Sequence, residues 1–240
     1  MSYFERWRLP RRAILLSAGL VAVAGGLGWA IGVSSAQDEH NARAYARHRI
    51  PVINAKLRDV ESGFIIFSGD SHADLYRQPS SLCGRDTVNA GVSGANADVY
   101  SETLAQLSFP RRAALAVLTI GTNDLLRKRA PDPDAFLVRV SRVLDGLQKK
   151  ADLIVVTAVP PVGEKEAKNF NVEAIESYSQ VIAQACSGVD GCSFHDPYAS
   201  LRSSNFGVSR PGAMADGIHV ASYRKVYATL PLCALIAQAQ

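Results

Sequence analysis

Three residues far apart in the chain could together carry out acyl transfer. Ser71 stands in Ser68-Gly69-Asp70-Ser71-His72, just after the apolar run Phe64-Ile65-Ile66-Phe67, where a strand gives way to a helix. A hydroxyl at such a turn is exposed, and the helix N-terminus favours negative charge beside it. A serine needs a base to remove its proton, and that base needs a partner to fix its tautomer and stabilise imidazolium. Asp216-Gly217-Ile218-His219 places a carboxylate three residues before a histidine. Two more loops carry groups suited to a developing oxyanion. Asn123, in Gly121-Thr122-Asn123-Asp124, has a primary amide that donates without carrying charge, and Gly91, in Asn89-Ala90-Gly91-Val92-Ser93-Gly94, lets backbone approach a substrate oxygen closely. Taken singly, each has an ordinary reading: Ser71 as a helix N-cap, Gly91 as a turn glycine, Asn123 as a cap.

These residues must be positioned by a regular frame. Phe64 to Phe67, Ala114 to Ile120 and Leu153 to Val159 are short apolar runs that read as buried strands. Ala97 to Leu107, Asp134 to Lys149, Val172 to Ala185 and Tyr223 to Ala237 carry helical periodicity. Strand and helix alternation predicts an α/β fold with a parallel sheet covered on both faces. In such sheets ligands bind beyond the carboxyl ends of the strands, where Ser71 and Asn123 both fall. His195-Asp196 follows a further short strand and reads as structural, since no nucleophile is tied to it. His72 is expected at a pocket rim or the surface. Arg127-Lys128-Arg129 reads as a solvated, helix-capping run that could meet an anionic saccharide or lipid head group.

Four blocks in this order resemble the SGNH hydrolases, or GDSL esterases and lipases: Gly69-Asp70-Ser71-His72, Gly91 within its hexapeptide, Gly121-Thr122-Asn123-Asp124, and Asp216-Gly217-Ile218-His219. The resemblance covers roughly residues 63 to 222. It implies a flavodoxin-like three-layer αβα sandwich, with Ser71 as nucleophile, His219 as base and Asp216 orienting it. It also implies an oxyanion hole made of the Ser71 and Gly91 N–H groups and the Asn123 amide, with no cofactor and no metal. The chain departs from the family pattern at His72, where leucine is usual, which bears on substrate preference. The GxSxG pentapeptide of α/β-hydrolases is absent from the sequence, so that fold is the weaker alternative.

The N-terminal sequence is membrane-directed. Arg6, Arg8, Arg11 and Arg12 form a basic tail (1–12), followed by a run without charged residues (13–33). At about 1.5 Å per residue a helix of that length spans the roughly 30 Å hydrocarbon core. The run exceeds a cleaved h-region of about 7 to 15 residues, which favours a transmembrane signal anchor over a signal peptide. The basic tail should stay cytoplasmic, sending the rest to the far side. Residues 34–60, polar and helix-friendly with a breaker at Pro51, are expected as a partly helical spacer before a hydrolase domain over 61–240. Cys83, Cys186, Cys192 and Cys233 fit export: an even number, all beyond the apolar run, none in a CxxC pair. Cys186 and Cys192 bracket a turn-rich loop that a disulfide could close, although three connectivities are open.

Charge removes one class. Of 26 Lys and Arg in the 240-residue chain, nine precede residue 61, and from Glu61 onward 17 basic residues face 18 acidic ones. A nucleic-acid binder would carry its basic footprint on the folded domain. What stands is an extracytoplasmic serine esterase acting on an O-acyl ester, with an acylated glycan a reasonable substrate. The alternatives are an O-acyltransferase with the same triad and a non-catalytic carbohydrate-binding module, against which intact Ser71, Asn123, Asp216 and His219 argue.

Overall fold

The computed structural model describes residues 37–239. Helix α1 occupies residues 37–59. There follow β1 (Ile65–Gly69), α2 (Ser71–Asp74), β2 (Ser81–Leu82), β3 (Arg85–Gly91), α3 (Ala97–Gln106), β4 (Ala113–Thr119), α4 (Pro133–Gln148), β5 (Ala151–Thr157), α5 (Ile175–Ser187), β6 (Cys192–His195), α6 (Tyr223–Tyr227) and α7 (Leu232–Gln238).

The sheet runs β2-β3-β1-β4-β5-β6, with every neighbouring pair parallel except the short antiparallel edge β2. Counting the parallel strands alone in chain order gives 2-1-3-4-5, the flavodoxin-like order. The order reverses beside β1, so the crevice at its carboxyl end is where a ligand can enter. β1 is buried at every position and β4 at all but one, as expected for central parallel strands covered on both faces.

Alternate side chains serve two layers. Phe64, Ile66, Ala116, Leu118, Ile154 and Val156 pack with α1, α3, α4 and α5 on one face. Ile65, Phe67, Leu115, Val117 and Val155 face the other way, onto Tyr76, Tyr227, Leu230, Leu232 and Ile236. This is the expected three-layer sandwich, with a cover on the second face made from the short helices α6 and α7.

Three features depart from the sequence expectation. Residues 37–59, expected as a spacer, form one helix that belongs to the domain: Ala42, Ala46, Ile53 and Leu57 lie 3, 4, 1 and 0% exposed in the core. Their spacing is that of a single helical stripe. The helix runs through Pro51, which is exposed. An interior proline costs about 3 kcal/mol, and burial of Ile53 and Leu57 beyond it offsets that cost. The 223–237 helix is instead two helices, because the chain turns before Pro231 to wrap the sheet. Strand β3, Arg-Asp-Thr-Val-Asn-Ala-Gly, was not expected, since its polar positions hide a strand lying next to the sheet edge.

Two disulfides join Cys186 to Cys192 and Cys83 to Cys233. The first ties the end of α5 to β6, and the second ties the β2–β3 turn to α7. Among the described residues no helix is long and apolar enough to cross a membrane. The expected tail (1–12), anchor (13–33) and residues 34–36 lie outside the described residues.

Candidate active site

The carboxyl end of β1 is built around a close approach. Gly69 has φ +122°, and a Cβ there would lie 1.8 Å from the Thr119 carbonyl oxygen. Only glycine allows β1 and β4 to come this near while the chain turns into α2. Asp70 caps that helix, its Oδ1 accepting the His72 N–H at 2.9 Å. Burial pushes the Asp70 carboxyl up to about 7, against the pull of that N–H. Ser71 follows as the first helical residue, 8% exposed.

The chain delivers His219 to it from the other end of the sequence. His219 Nε2 lies 2.8 Å from Ser71 Oγ, and Nδ1 lies 2.7 Å from Asp216 Oδ2. The second carboxylate oxygen, Oδ1, accepts the backbone N–H groups of Ile218 and His219 at 2.9 and 2.8 Å. The hairpin is closed by Ala215 N–H donating to His219 O at 2.7 Å, and docked by Gly163 N–H donating to Gly217 O at 2.7 Å. Desolvation works against ionisation of Asp216, but the His219 ring and the two N–H groups hold its carboxyl well below the usual range. The arrangement can therefore take a proton from the serine hydroxyl and stabilise the resulting imidazolium.

Asn123 sits in the 3₁₀ turn Thr122–Leu125 after β4. Its Nδ2 donates to Ala95 O at 3.0 Å, which fixes the amide while leaving its second N–H to point elsewhere. The turn is anchored by buried Asp124, which accepts the Ala97 N–H at 3.0 Å and faces Arg139 at 3.5 Å. Burial pushes the Asp124 carboxyl up to about 7, opposed by Arg139.

Gly91 is not the backbone donor expected from the sequence. Its N–H is spent on Asn89 Oδ1 at 2.9 Å. Its lack of a side chain serves packing: a Cβ would lie 2.1 Å from the Asp74 nitrogen, so the glycine lets β3 pass against α2. Three residues on, Gly94 has φ +80° and lines one cleft of about 560 Å³ together with Ser93 and Asn123. Among the described residues the N–H groups of Ser71 and Gly94 enter no hydrogen bond. The signal for Gly94 was present in the same hexapeptide, as a glycine in a loop beyond the strand end.

His72 is another correction. Rather than at a rim or the surface, it is fully buried, its ring 5.4 Å from that of His219 and its Nδ1 3.4 Å from the Tyr223 hydroxyl. Burial pushes its pKa down to about 3, helped by proximity to His219. In Arg127-Lys128-Arg129 only Arg127 is solvated, its side chain 52% exposed; Lys128 pairs with Asp38 and Arg129 with Glu39, at 2.7 Å, pinning the start of α1. Asp196 holds Arg202 at 2.9 Å while, among the described residues, the His195 ring's one hydrogen-bond partner is Ser193 Oγ at 3.3 Å, so that pair is structural. Among the described residues no group of three or more His, Cys, Asp or Glu is arranged to hold a metal ion.

A second cleft, of about 500 Å³, lies outside the triad and touches it only through Asp216 and its neighbour Gly217. The cleft containing Gly94 and Asn123 is the one continuous with the groups that could receive an oxyanion.

Comparison with known proteins agrees with this fold. No curated protein matches the sequence. Solved structures do. One from Streptococcus pneumonia, provisionally assigned as a platelet activating factor, superposes with a TM-score of 0.64 at 21% identity, covering 86% of this chain and 96% of its own. A GDSL-like lipase from Bacteroides thetaiotaomicron gives 0.59 at 18% identity, covering 82% and 97%. An acetyl xylan esterase from Geobacillus stearothermophilus gives 0.54 at 17%, covering 74% and 96%. At these identities the likeness is one of fold. The sequence itself matches the GDSL-like lipase/acylhydrolase family over residues 61–221, more than half of the chain, so this protein belongs to that family and is a serine ester hydrolase.

Proposed function

We propose that the protein is an extracytoplasmic, membrane-anchored esterase that removes short acyl groups, O-acetyl among them, from a glycan through an acyl-serine intermediate. The observation that carries the mechanism is the continuous Ser71–His219–Asp216 hydrogen-bond chain, at 2.8 and 2.7 Å. Ser71 Oγ attacks the ester carbonyl carbon while its proton passes to His219 Nε2. The carbonyl oxygen, now anionic, is received by the Ser71 and Gly94 N–H groups and the free N–H of Asn123. Collapse breaks the bond to the alcohol, which leaves with the proton from Nε2. Water then attacks the acyl-serine, gives its proton to the same nitrogen, and releases the acid with Ser71 restored. Asp216 stays ionised throughout, holding the ring in the tautomer that leaves Nε2 free.

The location is supported by the basic tail and apolar run of the first 33 residues and by two disulfides, which persist in oxidising compartments. The glycan substrate is supported by similarity to structures named as acetyl xylan esterases, including those from Geobacillus stearothermophilus and AlAXEase. The test is product analysis on an O-acetylated polysaccharide, with and without a free carbohydrate acceptor. Free acetate in both arms is expected. Acetylated acceptor formed in preference to acetate would overturn the hydrolase reading in favour of a transferase.

A further inference from the structure

The scheme above leaves α1 without a role in the chemistry, yet its side chains reach the loop that carries Gly94. Asp74, the last residue of α2, has a side chain only 9% exposed. Its Oδ2 accepts the Tyr45 hydroxyl at 2.9 Å, the Ser93 hydroxyl at 2.6 Å and the Ser93 N–H at 3.3 Å. Its Oδ1 lies 3.3 Å from Nη2 of Arg49. Arg49 also donates to the Gly91 carbonyl at 3.2 Å and to the Asn89 carbonyl and Oδ1 at 3.3 and 3.2 Å. Tyr45 and Arg49 are four residues apart, so they lie on one face of α1. One carboxylate thus joins three parts: the helix that begins with Ser71, the residue directly before Gly94, and α1.

We propose that Asp74, held by Tyr45 and Arg49, is a positioning residue that fixes the Ser93-Gly94 peptide and so aims the Gly94 N–H at the oxyanion. This rests on the acyl-serine reading above and makes α1 a part of the catalytic apparatus. The physical reason is the steepness of the requirement. An oxyanion donor works only within hydrogen-bond range of the transition state, and a displacement of about 1 Å can cost on the order of 100-fold in rate. The Ser93-Gly94 peptide is the middle of a turn that Ala95 N–H closes on Val92 O at 3.1 Å, which sets the local shape of the loop but not its place against α2. Ser93 supplies that anchor by giving both its hydroxyl and its N–H to Asp74.

The test uses the full chain as wild type, Ser71→Ala, Asp74→Asn, Tyr45→Phe and the Tyr45→Phe/Asp74→Asn double variant. It measures kcat and KM on a short-chain acyl ester, and affinity for a trifluoromethyl ketone that adds to serine and mimics the oxyanion. Asp74→Asn is expected to lower kcat roughly 10- to 100-fold with KM within about 2-fold, and to weaken the ketone in parallel. Tyr45→Phe is expected to lower kcat by about 3- to 10-fold alone and to add nothing in the Asp74→Asn background, because Tyr45 acts only through Asp74. Wild-type kcat and ketone affinity in Asp74→Asn would overturn the proposal, and so would full additivity of the two changes. If Asp74→Asn does not fold, Ser93→Ala removes only a hydroxyl and carries the same expectation. Ser71→Ala separates the layers. Full hydrolysis by that variant overturns the acyl-serine reading and the proposal with it, whereas an inactive Ser71→Ala beside a fully active Asp74→Asn overturns the positioning role alone.

Discussion

Asp216 grips His219 twice, through the ring Nδ1 at 2.7 Å and through the backbone N–H at 2.8 Å. The three-residue spacing makes this possible, since a turn of that length folds the carboxylate back over the following backbone while its other oxygen meets the ring. The Asp216 side chain is 56% exposed, so orientation by this local turn, rather than burial, holds the ring in place.

Asp216→Asn keeps the shape of that turn but disfavours the needed imidazole tautomer. Its kcat should fall by up to about 10⁴-fold with little change in thermal stability. Steady-state kinetics beside a melting curve checks both halves.

Asn123→Ala retains the nucleophile and removes one oxyanion donor. Turnover should drop on the order of 10² to 10³, equivalent to about 2.7 to 4 kcal/mol, with Ser71 still present to be labelled by an organophosphonate. Labelling lost altogether would mean that the substitution had disturbed more than the oxyanion hole.

Gly91→Ala and Gly94→Ala should separate packing from chemistry. A Cβ at 91 meets the Asp74 backbone at 2.1 Å, whereas one at 94 meets only Ala42, at 3.6 Å. The first should therefore cost several kcal/mol of stability, on the order of other severe steric substitutions. The second carries the strain of a positive φ, about 1 to 2 kcal/mol, and should show its larger effect in kcat. Denaturant midpoints and turnover measured on both variants decide the assignment.

Buried His72 sets a pH dependence. Its folded pKa is pushed down to about 3 from an ordinary 6.5, so below pH 6.5 the unfolded chain binds a proton that the folded protein refuses. Stability from this group is present above pH 6.5 and is lost as pH falls toward 3, by at most about 1.4 kcal/mol per unit. Asp70 works in the opposite sense: its carboxyl is raised to about 7, so folding loses stability as pH rises from about 4 to 7. His72→Leu removes the first effect and leaves the second. Asp124, also raised to about 7, acts in the same sense as Asp70, so between pH 4 and 7 urea midpoints should fall with rising pH more steeply in the variant than in the wild type, and equal slopes would count against neutral burial of His72.

Residues 37–240 should yield a soluble, cooperatively folded domain, and residues 61–240 should not. Removing α1 uncovers the core face under Ala42, Ile53 and Leu57 and releases Asp74 from Tyr45 and Arg49. Even Leu57→Ala alone should cost about 2 to 5 kcal/mol. Solubility without detergent and a single melting transition are the measurements.

The sequence by itself carried the central strands, because Ile65 to Phe67 and Leu115 to Thr119 lie in a sheet covered on both faces and so read as unbroken apolar runs. It marked Ser71, Asn123, Asp216 and His219, because each lies in a short block with its own local geometry, namely a strand-to-helix turn, a 3₁₀ turn and a three-residue hairpin, while the meeting of Ser71 with His219, 148 residues away, needed the fold. Tertiary structure decided the rest. Strand β3 was hidden by polar residues that only their place near the sheet edge explains. Which glycine offers its N–H depended on Asn89 having already taken that of Gly91, a contact between side chain and backbone that spacing does not encode. Residues 37–59 read as a polar spacer because Pro51, on the opposite exposed face, reads as a helix breaker and their apolar stripe is narrow. Its place against Phe64 and Ile66, and the reach of Tyr45 and Arg49 to Asp74, exist only once strands distant in sequence have come together.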